Sequence, residues 1–170
     1  MSKFDRRNFI KTTTLTASFA SSYVFSSTNS RKNEQMYMGD FSAPKLNKIK
    51  AAFLGVGYRG KGHLKLFASL PGTEVVGISD LYEDNILRSN KILEDMNIST
   101  DSIKTYWGDD KKWKIMLKEV RPDIVFISTD WNSHGVMAVE TMKNGAHAFV
   151  EVPLAMTLKE LWNIVDTSEK

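Results

Sequence analysis

The stretch Lys48-Ile49-Lys50-Ala51-Ala52-Phe53-Leu54-Gly55-Val56-Gly57-Tyr58-Arg59-Gly60 decides how the rest of the chain reads. A short apolar run stops at glycines and gives way to a helical pattern over Lys61–Leu70, with Leu64, Phe67 and Ala68 on one face. Each glycine has its own task in such a turn. Gly55 permits a tight exit from the strand, Gly57 lets a pyrophosphate approach without a Cβ in the way, and Gly60 lets the helix pack closely on the strand. The helix N-terminus offers amide donors to the phosphates. Alone, G-x-G-x-x-G is a weak signal; here a strand precedes it, a helix follows, and a second strand, Glu74–Ser79, delivers Asp80 25 residues after Gly55. A carboxylate there accepts from the adenosine ribose hydroxyls and repels a 2′-phosphate, so NAD is expected over NADP; capping of the next helix is the competing duty for Asp80. Arg59 either reaches a phosphate or stands as a solvated loop cation.

Outward from this turn the signals alternate between strand and helix. A helix is expected over Glu83–Met96, a brief strand near Lys104–Tyr106, and a helix through Trp113, Met116, Leu117 and Val120, which fall at i, i+3, i+4 and i+7. Asp123–Ser128 reads as a fully buried strand, Val136–Asn144 as a helix closed by Gly145, and Ala146–Val150 as the last strand. Leu158, Leu161, Trp162 and Val165 repeat the helical stripe, and the spacing makes Trp113 and Trp162 core residues rather than cofactor contacts. The expected fold class is α/β, a Rossmann-type doubly wound parallel sheet over residues 47–170. The final Ser168-Glu169-Lys170 reads as part of a continuing helix, so the chain is expected to be the front part of a longer protein.

Residues 1–30 read as a targeting segment. Arg6-Arg7-Asn8-Phe9-Ile10-Lys11 is similar to a twin-arginine export motif, although Asp5 stands where Ser or Thr is usual. The Ser/Thr-rich run Thr12–Phe25 is too polar and short for a transmembrane span. A disordered basic tail is the plainer alternative. Residues 31–46 read as an irregular linker. The net charge of +3 comes from the first 34 residues: the remainder carries 17 basic and 18 acidic side chains, which speaks against a nucleic-acid binder. The absence of cysteine excludes disulfides, a thiolate nucleophile and zinc knuckles.

A second informative stretch runs from Thr129 to Pro153, with Trp131-Asn132-Ser133-His134 after the fourth strand and Glu151-Val152-Pro153 after the fifth. Together with the glycine turn it resembles the N-terminal domain of the glucose–fructose oxidoreductase and inositol dehydrogenase family (Gfo/Idh/MocA), whose fifth strand ends in E-K-P with a catalytic lysine. Val152 stands in that place. The combination most resembles glycoside hydrolase family 109, exported bacterial α-N-acetylgalactosaminidases with a retained NAD. That subgroup more commonly has an acidic residue where Asn132 stands and a bulky one where Ser133 stands.

The resemblance implies that Tyr58 and Arg59 meet the dinucleotide phosphates and that Asp80 holds the adenosine ribose. It places Trp131 to His134 along the nicotinamide half and Glu151-Val152 beside the nicotinamide ribose. His134 has the alternative of a backbone-bonded residue at a helix N-terminus, and His63 and His147 read as structural. The implied reaction is redox-assisted glycoside cleavage: oxidation at C3, loss of the C2 proton, elimination, water addition and re-reduction, unlike the paired carboxylates of most glycosidases. The catalytic base, most sugar contacts and a possible homo-oligomer interface would belong to a C-terminal α/β domain beyond this chain. Periplasmic or cell-surface location follows from the export reading. Two rivals remain: a sugar or polyol dehydrogenase of the same superfamily, and a non-catalytic dinucleotide-binding module.

Overall fold

The computed structural model of the chain describes residues 41–170. The twin-arginine segment and most of the linker lie outside the described residues, while residues 41–46 carry no regular structure. Strands and helices alternate as β1 (Ile49–Leu54), α1 (Tyr58–Ala68), β2 (Thr73–Ser79), α2 (Glu83–Asp95), β3 (Lys104–Tyr106), α3 (Lys112–Val120), β4 (Ile124–Ile127), α4 (Trp131–Lys143), β5 (His147–Val150) and α5 (Leu158–Ser168). The strands form one sheet in the order β3-β2-β1-β4-β5, and every neighbouring pair is parallel. Parallel pairing requires a crossover between consecutive strands, and the helices supply it.

The central strand shows why the sheet is covered on both faces. Ala51, Ala52, Phe53 and Leu54 are each 0% exposed, which only a two-sided cover allows. Side chains alternate across a strand. Ala51 and Phe53 therefore join one core with Leu64 and Phe67 of α1 and Ile86 and Leu93 of α2. Ala52 and Leu54 join the other with Trp113, Met116 and Leu117 of α3 and Ala138 of α4. This is the doubly wound arrangement expected from the sequence. Asp123 pins β1 to the start of β4 by accepting the Lys50 amide at 2.8 Å.

Three local expectations are corrected. The stripe Leu158, Leu161, Trp162 and Val165 is not core: these residues are 70, 39, 51 and 39% exposed. Helix α5 instead lies on α4 through Glu160, close enough that a Cβ on Gly135 would sit 3.3 Å from the Glu160 Cβ, and Ile164 packs against the core. Periodicity reveals an apolar face but not what covers it. Strand β4 is not buried throughout: Val125 and Ile127 are, while Ile124 and Phe126 are half-buried. Helices α1 and α4 begin several residues before their apolar stripes do, at Tyr58 and Trp131. Trp113, at 7% exposure, is core as expected, and Gly145 follows α4 with a left-handed φ of +83°.

Candidate dinucleotide site

Strand order reverses between β1 and β4, and an open parallel sheet gathers ligands in the crevice outside the strand ends at that point. A cleft of about 630 Å³ lies there, within the usual range for cofactor sites. Gly55 and Gly57 line it from the end of β1, Ser79 and Asp80 from β2, and Ser128, Thr129 and Asp130 from β4. Asn132, Ser133, Val136 and Met137 of α4 line it with Leu81, Tyr82 and Asn85 near α2 and Asp109, Asp110 and Trp113 near α3. Four carboxylates and no lysine or arginine are among these lining residues.

The glycine turn is built as its spacing requires. Gly55 has a φ of +78°, and a Cβ there would lie 2.7 Å from the Ser128 carbonyl oxygen. A Cβ on Gly60 would lie 1.9 Å from the Gly55 carbonyl oxygen, so α1 reaches this close to β1 only because Gly60 has none. At Gly57 the added atom would meet no protein atom within 4 Å. Gly57 is the N-cap of α1 and brings no side-chain cap, and the first turn holds no acidic residue. The first-turn amides have no intrahelical acceptor, and the open space at Gly57 lies beside this helix end, whose polarity binds phosphate. These residues fit a dinucleotide.

Asp80 joins the glycine turn to the segment that leads into α2, where the N-cap is Tyr82 and no side chain caps the helix. Its Oδ2 accepts the Val56 amide at 2.8 Å, tying the glycine turn to β2. Its Oδ1 accepts the Tyr82 amide at 2.9 Å and the Asn85 side chain at 3.1 Å. The carboxylate lies on the cleft wall with further acceptor capacity, since an ionised carboxylate has about four lone-pair sites.

The α4 end is held by Asp130, which the sequence reading passed over. Its carboxylate accepts from the Asn132 amide at 3.0 Å and the Ser133 hydroxyl at 2.6 Å, an N-cap that turns Asn132 and Ser133 toward the cleft. The Ser133 hydroxyl bond and the surrounding amides hold the Asp130 carboxyl below its ordinary value against the opposing effect of burial. Trp131, 60% exposed, begins the helix. His134 lies elsewhere: it is 1% exposed, does not line the cleft, and presents Nδ1 to the Pro153 carbonyl at 2.8 Å and Nε2 to the Thr129 carbonyl at 3.2 Å. Its ring cross-links the loops after β4 and β5, which is the backbone-bonded alternative rather than the cofactor-lining one.

Glu151 stands at the end of β5 with 16% of its side chain exposed. Arg59 Nε and Nη2 donate to its Oε1 at 3.2 and 3.0 Å, and His63 Nε2 lies 2.5 Å from the same oxygen. The His63 bond, aided by the Arg59 charge and opposed by burial, holds this carboxyl below the usual carboxylate range. Arg59 is thus paired with Glu151 rather than a free solvated cation, and His63 has a polar partner that its reading as structural did not foresee. Tyr58 and Val152 project outward, 92 and 79% exposed. Among the described residues no cluster of His, Asp and Glu could hold a metal ion. None of the described helices is long and apolar enough to cross a membrane.

Comparison with known proteins agrees with this geometry. Residues 49–170 match the model of an oxidoreductase family with an NAD-binding Rossmann fold. Glycosyl hydrolase family 109 protein 2 of Akkermansia muciniphila is 50% identical over 140 residues, covering 82% of this chain and 29% of that protein. A glycosyl hydrolase family 109 protein of Shewanella putrefaciens is 37% identical, over 100% of this chain and 38% of its own length. The chain therefore spans well under half the length of these relatives. Among solved structures, myo-inositol dehydrogenase from Lactobacillus casei in complex with NAD(H) and myo-inositol is 26% identical with a TM-score of 0.57, covering 71% of this chain and 33% of that one. Apo scyllo-inositol dehydrogenase from the same species shares the fold, with a TM-score of 0.60 at 18% identity over 72% of this chain and 34% of that one.

Proposed function

The chain belongs to the Gfo/Idh/MocA oxidoreductase family, carrying its NAD-binding Rossmann domain, and from that premise we propose that the whole protein is an exported glycosidase. It cleaves α-N-acetylgalactosaminides by transient oxidation, elimination and re-reduction. Bound in the crevice, NAD supplies a reversible two-electron oxidation of the sugar C3 hydroxyl. This domain contributes the first-turn amides of α1 to the phosphates, Asp80 to the adenosine ribose, and Glu151 with Val152 at the nicotinamide end. The C2 proton and the leaving oxygen are handled by groups of the remaining chain.

The observation that carries the proposal is Val152. It lies 79% exposed at the end of β5, where a dehydrogenase of this family needs a lysine to move the hydroxyl proton. A valine there removes the proton relay yet leaves the cofactor cradle intact. The identity with family 109 relatives supports the same reading. Export through the twin-arginine pathway, suggested by Arg6-Arg7, fits a cofactor that is regenerated in place. The structural likeness to inositol dehydrogenases favours a second reading, oxidation of a free sugar or polyol with release of NADH.

The two readings separate in one experiment. The full-length protein is incubated in deuterated water with an α-N-acetylgalactosaminide and no added cofactor. Cleavage with deuterium at C2 of the released sugar is expected, because that proton leaves and returns in each turnover. Cleavage without label at C2 excludes the elimination route. Stoichiometric NADH from a free sugar, with no glycoside cleavage, establishes the dehydrogenase.

A further inference from the structure

Arg59 and His63 stand four residues apart on α1, so they share a face of the helix, and both reach one oxygen of Glu151. Oε2 of Glu151 is met only by the amide of Val152, at 3.3 Å, among the described hydrogen bonds. The carboxylate is thus divided: one oxygen is turned into α1 and the other keeps acceptor capacity at the strand end. An ionised carboxylate only accepts, so His63 carries its proton on Nε2. The ring itself is fixed by aromatic neighbours, with centroids 6.1 Å from Phe126 and 5.7 Å from Phe149. Of the two donors, His63 is the more buried one: its side chain is 20% exposed, against 69% for Arg59.

Position in the sheet gives this arrangement a use. Asp80 assigns the adenosine half of a dinucleotide to the β1-β2-β3 side of the reversal. The second mononucleotide then crosses the carboxyl ends of β4 and β5. We propose that His63 is a positioning residue for NAD: it fixes Glu151 so that Oε2 accepts a hydroxyl of the nicotinamide ribose. Together with Arg59 it couples the glycine turn to the end of β5. The inference rests on the NAD-binding reading of the crevice and on neither candidate reaction.

Two substitutions in the full-length protein separate the N–H from the ring. His63→Phe keeps an aromatic ring against Phe126 and Phe149 and removes the donor. His63→Gln keeps an N–H donor and removes the ring. NAD affinity is measured by calorimetry after removal of retained cofactor, and the melting temperature is recorded without NAD. H63F is expected to bind NAD about ten- to hundredfold more weakly, the range for losing a hydrogen bond to a charged group, and to melt somewhat below the wild type because the same bond supports the fold. H63Q is expected to bind within a few-fold of wild type and to melt lower. The reverse pattern, with H63F binding normally and H63Q binding poorly, overturns the proposal.

A wild-type measurement covers the case in which H63F does not fold. The His63 ring nitrogens, observed by NMR, should show the Nε2–H tautomer and shift on saturation with NAD. An Nδ1–H ring, or one indifferent to NAD, overturns the proposal equally. Because these readouts are binding and ring state, failure of the C2-deuterium experiment leaves them standing, and the converse holds.

Discussion

Gly57 and Gly60 lie three residues apart, yet replacing each by alanine should produce different failures. At Gly60 the new Cβ would lie 1.9 Å from the Gly55 carbonyl oxygen, whereas real Cβ contacts stay beyond 3.0 Å. The start of α1 must therefore retreat from β1 by at least about 1 Å. Gly55 cannot yield in the other direction, because its own Cβ position is already within 2.7 Å of the Ser128 carbonyl, and its amide is bonded to Ser79 at 2.8 Å. Overpacking of this kind costs about 1–3 kcal/mol or more, so the full-length G60A protein should melt measurably below wild type and bind NAD poorly. At Gly57 the methyl meets no protein atom within 4 Å, and φ is an ordinary −66°. G57A should therefore melt within about 2 °C of wild type. Its methyl would fill the space proposed for a phosphate, so NAD affinity should fall about tenfold or more. Differential scanning fluorimetry and calorimetry on both variants provide the check. Wild-type melting of G60A would refute the close-packing argument, and wild-type NAD affinity in G57A would refute the cradle.

Asp80→Asn keeps an acceptor for the buried Val56 turn and removes the charge, so NADP affinity should rise toward that of NAD; unchanged discrimination would shift the credit to Asp109, Asp110 or Asp130. The carboxyl of Glu151 titrates in the fold below its unfolded value of 4.5. The stability it confers is therefore full above that value and declines as pH falls through the lower folded one. Acid denaturation of Glu151→Gln compared with wild type should show a smaller loss below about pH 4, and coincident curves would refute the linkage. Replacing both Arg6 and Arg7 by lysine should leave the protein in the cytoplasm on cell fractionation, and unchanged export would assign those residues no targeting role.

The fold was legible because its signals are local. Glycines at 55, 57 and 60, an acid after the second strand and helical stripes around Leu64 and Met116 each report the backbone they sit in. What escaped depended on partners distant in sequence. His63 and Glu151 are 88 residues apart, and no periodicity joins them. His134 was drawn toward the cofactor by its neighbours in the chain, whereas its ring turns inward to carbonyls supplied by Thr129 and Pro153. Asp130 was within reach: an acid just before a helix with Ser133 three residues later is an N-cap pattern. It was hidden by starting α4 at its apolar stripe. The exposed face of α5 shows the opposite limit, a correct period with the wrong surroundings.

The strand order also sets a timetable for the chain. Ile49 of β1 pairs with Thr73 of β2, a short way along the sequence. The other edge of β1 waits for β4, with Ala51 opposite Ile124 and the Lys50 amide on Asp123, 73 residues later. Loop closure over that span is entropically dearer, and parallel pairing at long range is slow. The β1-β2-β3 half can therefore assemble first, holding Asp80 and the glycine turn but with only one wall of the crevice. Arrival of β4 and α4 builds the opposite wall and completes the dinucleotide site in the same event. On that order NAD would bind the finished domain alone, and would act on the last step of folding rather than the earlier ones.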